Sequence, residues 1–122
     1  MKIQESAENY LETILVLSLD KPYVRSIDIA NELGFSKPSV SVAMKNLRNS
    51  GHIRVDENGH ITLAPPGKKI AEMIYERHRL LSQWLESLGV SKETASEDAC
   101  RIEHVISDES FERLKAAAKT ES

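Results

Sequence analysis

The sequence has little of several residue types, and each shortage excludes a class of structure. The single cysteine, Cys100, excludes an internal disulfide, and the 5 glycines and 4 prolines leave room for few turns, which favours helices over a β-sandwich or barrel. Aromatic residues make up only 5% of the chain, so we expect a largely aliphatic core. No apolar run approaches the roughly 20 residues of a membrane span, and the N-terminus lacks the apolar segment of a secretion signal. We therefore expect a cytoplasmic protein with no membrane partner.

What the chain does contain is an uneven distribution of charge. It has 122 residues, near the common size of one domain, and its net charge is -3. Residues 36–55 contain no Asp or Glu, whereas acidic residues gather near the N-terminus and in the C-terminal part. A basic middle between acidic ends indicates contact with a polyanion in one part and with a cation in another. A solvated basic surface with no partner is the alternative.

The spacing of apolar residues predicts three helices followed by a hairpin in the first half of the chain. A first helix is predicted from about Gln4 to Leu19, a short second helix is capped by Ser26, and a third spans 36–50. The Asn-Gly pair between two alternating stretches predicts a β-hairpin over 52–63, whose histidines we interpret as surface residues. Helix, turn, helix and hairpin in this order are typical of a winged helix.

The second half is predicted to be entirely helical. Helices are expected over about 67–87, 91–105 and 107–118. The fold class is therefore mostly α, with a winged helix-turn-helix DNA-binding domain over 1–64 and a helical domain over 65–122. Several apolar residues of the second domain exceed what a small helical tail can bury, which predicts a homodimer; they include Trp84, Leu85, Leu88, Val105 and Phe111.

The third predicted helix is the candidate DNA-recognition helix. Short polar side chains at a helix N-terminus can enter the major groove, and basic residues further along supply contacts with phosphates. Helix capping by the serines is the alternative interpretation. The residues that we assign to DNA binding are Arg25, Ser36, Lys37, Pro38, Ser39, Ser41, Lys45, Arg48 and Arg54.

A second constellation consists of Cys100, Glu103 and His104. On one continuous helix these positions share a face, which would place a thiolate, a carboxylate and an imidazole side by side. All three are ligands of transition metals, although a glutamate beside a histidine is also a common surface pair. The chain contains no nucleophile with its base, no P-loop and no dinucleotide fingerprint, so we expect neither an enzyme nor a small-molecule substrate.

Together these stretches resemble the iron-dependent repressor family, which includes the diphtheria toxin repressor and the manganese transport regulators. The resemblance covers nearly the whole chain and is carried by residues 8–14, 28–30, 36–41, 62–68, 77–81 and 98–109. It implies a homodimeric, metal-activated repressor of iron or manganese uptake genes that binds a palindromic double-stranded DNA operator. It also implies a short form without the SH3-like third domain of the longer members.

The resemblance implies a larger ligand set than the local motif. It adds His78 on the long helix, and Glu12 and Asn9 on the first helix, to the ligands already named. Members of the iron type carry Cys at the position of Cys100, whereas members of the manganese type usually carry Glu there. The position of Asn9 is Met or Asp in the better-known members. We expect Fe(II) or Mn(II) as the physiological metal.

Two further departures from the family pattern bear on the metal. Ser82 and Ser96 stand where iron-type members add ancillary ligands, which argues against an ancillary site. The Cys100 thiolate predicts binding of Zn(II), Co(II) or Ni(II) in vitro, because these ions rank above Mn(II) in intrinsic affinity.

The implied mechanism is a metal that bridges the first helix to the dimer-forming helices. Such a bridge would fix the separation of two recognition helices, which must lie about one DNA turn, roughly 34 Å, apart to read a palindrome. The main alternative is a metal-independent winged-helix regulator in which Cys100 is a redox-sensing thiol.

Overall fold

The computed structural model describes residues 5–121, with side chains as far as residue 118. Over this range the chain is mostly α-helical with one two-stranded antiparallel hairpin, which confirms the predicted fold class. No helix within the described range is both long enough and apolar enough to cross a membrane. The elements are α1 (Glu5–Asp20), α2 (Ser26–Leu33), α3 (Lys37–Asn49), β1 (Ile53–Val55), β2 (Ile61–Leu63), α4 (Pro65–Ser87), α5 (Lys92–Ile102) and α6 (Asp108–Glu121).

The chain divides into two compact units, Met1–Glu72 and Met73–Ser122. This division is based on contacts within the chain. The boundary between the DNA-binding domain and the helical domain, expected between residues 64 and 65, stays a prediction. Gln4, the expected first residue of α1, lies outside the described residues.

The first unit has the aliphatic core that the scarcity of aromatic residues predicts. Helix α1 packs against α2 and β2, while α3 packs against α2 and β1. Burial of one side of α3 directs its polar side chains outwards. The buried core residues include Leu11, Ile14, Leu17, Val24, Ile29, Val40, Met44, Leu47, Ile53 and Ile61.

Helix α2 begins differently from the sequence-based expectation. Its N-cap is Arg25 rather than Ser26, and the Asp28 carboxylate accepts a hydrogen bond from the Arg25 main-chain N–H at 2.9 Å. This hydrogen bond, together with Lys21 at 3.2 Å, holds the pKa of Asp28 below its usual value of 3.8. The main chain of Arg25 is thereby fixed at the first turn of the helix.

The hairpin pairs Ile53 with Leu63 and Val55 with Ile61. In its turn, Oδ1 of Asp56 accepts hydrogen bonds from the N–H groups of Asn58 at 2.8 Å and His60 at 2.9 Å. These hydrogen bonds lower the pKa of Asp56, and the bond from the His60 N–H has the larger effect.

The hairpin is also tied to the chain that precedes α2. The Ile61 N–H donates to the Val24 carbonyl at 2.7 Å, so the segment ahead of α2 lies along β2. A main-chain hydrogen bond thus joins the hairpin to the segment that leads into α2.

Helix α4 begins at Pro65, two residues earlier than expected from the sequence. The N–H groups of the first turn have no partner within the helix. Proline has no N–H, so it loses nothing at this position. Gly67 in that turn lies against the chain entering β1, where a Cβ atom would stand 2.0 Å from the His52 carbonyl oxygen. Only glycine fits at this close approach.

The second unit contains the rest of α4 with α5 and α6. Helix α5 ends at Ile102 and not near Val105, and a tight turn follows in which the N–H groups of Val105 and Ile106 both donate to the Ile102 carbonyl at 3.0 Å. The carbonyl oxygens of Glu103 and Ile106 in this turn accept hydrogen bonds from the Arg77 guanidinium. The buried residues here include Ile74, Leu81, Ala95, Ala99 and Phe111.

Candidate metal centre and nucleic-acid interface

Three of the expected metal ligands lie together in the second unit. His78, on α4, places its Nδ1 atom 2.9 Å from Oε2 of Glu103. His104 Nε2 lies 3.4 Å from the other carboxylate oxygen, Oε1. One carboxylate therefore lies between two imidazoles, and its contact with one nitrogen of His78 determines which nitrogen of that ring remains for a metal.

The environment of Glu103 fits a bound cation. Its side chain has 0% solvent exposure, and within the described part of the chain Oε1 has no hydrogen-bond partner. A buried carboxylate oxygen that lacks a partner carries an unfavourable free energy of desolvation. A divalent cation would compensate it, and carboxylate and imidazole are suitable ligands for such ions.

Cys100 lies in a different environment from the other two residues of its motif. It is on the last turn of α5 and exposed, whereas Glu103 and His104 lie in the turn after the helix ends. The three residues are therefore not part of one continuous helix, although the Glu103 N–H still donates to the Ala99 carbonyl at 2.9 Å.

The two remaining expected ligands lie on α1, in the first unit. Glu12 is buried, with 8% exposure. Asn9 is half-buried, and its main-chain carbonyl accepts from the Thr13 hydroxyl at 2.8 Å.

The candidate recognition helix α3 presents its polar residues to solvent. Ser36 caps it: its Oγ atom accepts from the Ser39 N–H at 3.3 Å and donates to the Ser39 hydroxyl at 2.8 Å. Capping and a role in DNA contact are compatible, because both serines remain exposed. The other exposed members of the set are Lys37, Pro38, Ser41, Lys45 and Arg48.

The remaining two basic residues lie beside this helix. Arg54, on β1, lines the same concave surface as Arg48. Arg25 is exposed at the start of α2, where its Nη2 atom lies 3.1 Å from Nε2 of His60. All the residues expected to bind DNA are thus exposed on the first unit.

Two residues that the sequence analysis did not single out organise these sites. The first is Arg77, which is buried and bonded to the turn that carries Glu103. The second is His60, which we interpreted as a surface residue. It lies at the surface with its side chain 16% exposed, and it also contacts Arg25 and Tyr23 there. In the sequence, the only indication of a role for His60 was its position next to the Asn-Gly turn.

Comparison with known proteins agrees with this division of roles. Residues 2–61 match the family model described as the iron dependent repressor N-terminal DNA binding domain. Residues 64–120 match the model for the iron dependent repressor metal binding and dimerisation domain. The chain belongs to the iron-dependent repressor family. As a member of this family it carries a DNA-binding domain and a metal-binding and dimerisation domain, and the family consists of transcriptional regulators, not enzymes.

Among curated relatives, the transcriptional regulator MntR of Salmonella typhimurium is 34% identical over 113 residues, which cover 93% of this chain and 72% of the relative. An uncharacterised HTH-type transcriptional regulator of Methanocaldococcus jannaschii is also 34% identical, over 93% of this chain and 92% of its own length. This member of the family thus has relatives both longer than itself and of similar length.

Solved structures give the same assignment. The manganese regulator SloR superposes with a TM-score of 0.80 and 29% identity, covering 98% of this chain and 55% of SloR. A manganese-dependent transcriptional repressor in complex with manganese superposes with a TM-score of 0.84 and 28% identity, over 93% and 52% of the two chains. This family member therefore spans about half the length of those structures.

Proposed function

We propose that this protein is a metal-activated transcriptional repressor of iron or manganese uptake genes and that a divalent metal acts as its co-repressor. The observation that carries the proposal is the fully buried Glu103 carboxylate, which lies between two imidazoles and has an oxygen without a hydrogen-bond partner among the described residues. Such a site fits a metal, and it belongs to a chain with a winged-helix DNA-binding domain.

His78, Glu103 and His104 would hold the metal. The resemblance to the family adds Glu12, Asn9 and Cys100, and the burial of Glu12 supports its inclusion. When bound, the metal supplies a positive charge that neutralises the carboxylates. Carboxylate and imidazole suit Fe(II) and Mn(II), while the Cys100 thiolate favours Fe(II), or Zn(II), Co(II) and Ni(II) in vitro.

The DNA partner is proposed to be a palindromic operator bound by a homodimer in the cytoplasm. Two exposed apolar residues of the second unit support a contact with a second copy: Leu88 is 63% exposed and Val105 is 73% exposed. Phe111 has to be removed from the expected dimer-forming set, because it is buried in the core of its own unit. The exposed basic residues of the first unit would contact phosphates.

Ligands drawn from α1 and from the second unit would make the arrangement of the two domains depend on the metal. Restricting the separations of two recognition helices raises operator affinity by a population shift. A hundredfold increase in affinity requires about 2.7 kcal/mol of differential binding.

The test compares Glu103→Gln and His104→Ala with the matched control Glu97→Gln, an exposed glutamate on α5. DNA is first selected by the wild-type protein from a randomised palindromic library in Mn(II), and affinity is then measured by fluorescence anisotropy with Mn(II) or with chelator. Mn(II) should raise the affinity of the wild type and the control about a hundredfold and that of the two variants little. An equal metal response in all four proteins would contradict the ligand assignment.

The exposure of Cys100 favours one second candidate, a metal-independent regulator controlled by oxidation of this thiol. Operator binding that survives chelation and is lost on treatment with peroxide would support that function over the first.

A further inference from the structure

The imidazole of His60 is held between three side chains next to the hairpin turn. Its Nε2 atom lies 3.1 Å from Nη2 of Arg25, and its Nδ1 atom lies 3.4 Å from Oδ2 of Asp56. Its ring stacks on that of Tyr23, with centroids 4.2 Å apart and an interplanar angle of 16°. With 16% of its side chain exposed, His60 has little freedom to turn.

These contacts determine where the imidazole carries its proton. A guanidinium has only hydrogen-bond donors, so Nε2 of His60 has to accept from Arg25. In the neutral ring the proton then resides on Nδ1, which faces the carboxylate of Asp56. Asp56 is itself fixed, because its other oxygen accepts two main-chain N–H groups of the turn.

Arg25 is therefore held at both ends. Its main-chain N–H is bonded to the carboxylate of Asp28 at 2.9 Å, and its guanidinium is bonded to His60. An exposed arginine normally samples many rotamers and loses that freedom when it binds a phosphate. A guanidinium already held by one acceptor loses less, and its remaining N–H groups can still donate to a phosphate.

The position of Arg25 in the fold is suited to such a contact. It is the N-cap of α2, the first helix of the helix-turn-helix, and this helix crosses the DNA backbone in proteins of the same architecture. The hairpin lies beside it, since the Ile61 N–H is bonded to the Val24 carbonyl.

We propose that His60 is a positioning residue that holds the Arg25 guanidinium in place for a DNA phosphate, with Asp56 fixing the imidazole in the required tautomer. This inference rests on the proposed DNA-binding function and identifies a residue on the hairpin that acts through Arg25.

The test uses two substitutions of His60 with opposite consequences. His60→Phe keeps a ring to stack on Tyr23 but removes the acceptor, whereas His60→Gln keeps an acceptor oxygen. At pH 7.5, with saturating Mn(II) and DNA selected by the wild type, His60→Phe should weaken binding by roughly three- to tenfold, and Arg25→Ala by at least as much. Arg25→Ala should also reduce the dependence of log affinity on log salt by about one phosphate contact.

The decisive measurement is the double variant. Because His60 acts through Arg25, His60→Phe should cause no further loss of affinity in the Arg25→Ala background. At the same pH, His60→Gln should lose less affinity than His60→Phe, because the glutamine keeps an acceptor for Arg25. Urea unfolding of each variant measures its stability, and so shows whether a loss of DNA affinity comes from partial unfolding.

Three results would overturn the inference: an unchanged affinity of His60→Phe, an equal effect of that substitution with and without Arg25, and an unchanged affinity of Arg25→Ala. Failure of the wild-type protein to bind any DNA in Mn(II) would instead overturn the proposed function.

Discussion

Arg77 donates a hydrogen bond from Nη1 to the main-chain carbonyl oxygen of Glu103 at 3.1 Å, although the two residues lie 26 positions apart. The same nitrogen donates to the Ile106 carbonyl at 2.9 Å, and Nη2 is bonded to the Asp108 carboxylate. The guanidinium also lies over the Phe111 ring, 5.4 Å from its centroid. Arg77, which is adjacent in sequence to His78, thus fixes the turn that carries Glu103 and His104.

Replacement of Arg77 by methionine should destabilise the protein and weaken metal binding. Methionine fills a similar volume but leaves two main-chain carbonyls without their donor, so we expect the free energy of unfolding to fall by about 2–3 kcal/mol. Urea unfolding monitored by circular dichroism measures this change, and calorimetry with Mn(II) measures the affinity. Arg79→Met is the control, since Arg79 is exposed and lies 5.8 Å from the centre of the Tyr75 ring. Equal unfolding midpoints for the two variants would contradict the expectation.

Substitution of Cys100 by glutamate should change the order in which metals bind. A carboxylate in place of a thiolate favours Mn(II) relative to Zn(II) and Co(II), because harder ligands suit the harder ion. The measurement is calorimetric titration with each metal, and Cys100→Ser serves as a control that removes the thiol without adding charge. If all three proteins rank the metals identically, Cys100 does not ligate the ion and its exposed position on α5 is sufficient reason.

Gly67→Ala should destabilise the first unit. The added Cβ would lie 2.0 Å from the His52 carbonyl oxygen and 3.2 Å from Cδ2 of Leu11, so the start of α4 has to move away from the chain entering β1. We expect a loss of at least about 3 kcal/mol in the free energy of unfolding, at the upper end of overpacking effects. Thermal unfolding should show it, with the exposed Lys69→Ala in the same helix as the control. Unfolding temperatures within 2 °C of each other, about 0.5 kcal/mol for a domain of this size, would refute the close approach.

Asp28→Asn should cost stability at neutral pH and not in acid. The pKa of Asp28 is lowered in the folded protein, chiefly by the Arg25 N–H, so its charged form stabilises the fold above the usual value of 3.8. That contribution is lost as the pH falls through the lowered pKa. The difference in unfolding free energy between wild type and variant should therefore be constant from pH 7 to 5 and disappear near pH 2. A difference that persists at pH 2 would mean that the amide disturbs the helix start for another reason.

Local patterns were sufficient to predict most of the fold. The burial of Val40, Met44 and Leu47 follows from helical spacing, and the Asn-Gly turn gives the hairpin. Each depends on residues close together in sequence, where spacing and turn preferences determine the structure.

The details of both sites depend on distant contacts instead. Spacing placed Cys100, Glu103 and His104 on one helix, but α5 ends at Ile102. In the turn that follows, the Arg77 guanidinium donates to the carbonyl oxygens of Glu103 and Ile106. His60 resembled a surface residue because its partner Arg25 lies 35 positions away. Neither contact leaves a periodic trace in the sequence.

The hydrogen bond between the Ile61 N–H and the Val24 carbonyl prevents the hairpin from swinging independently of α3, which packs against α2 and β1. The distance between the hairpin and α3 is then constant. A DNA duplex whose grooves do not match this distance has to deform before it can be bound, and stiff sequences deform at a greater cost in free energy. Under the proposed function, a rigid protein would therefore discriminate between operators at base pairs that no side chain touches.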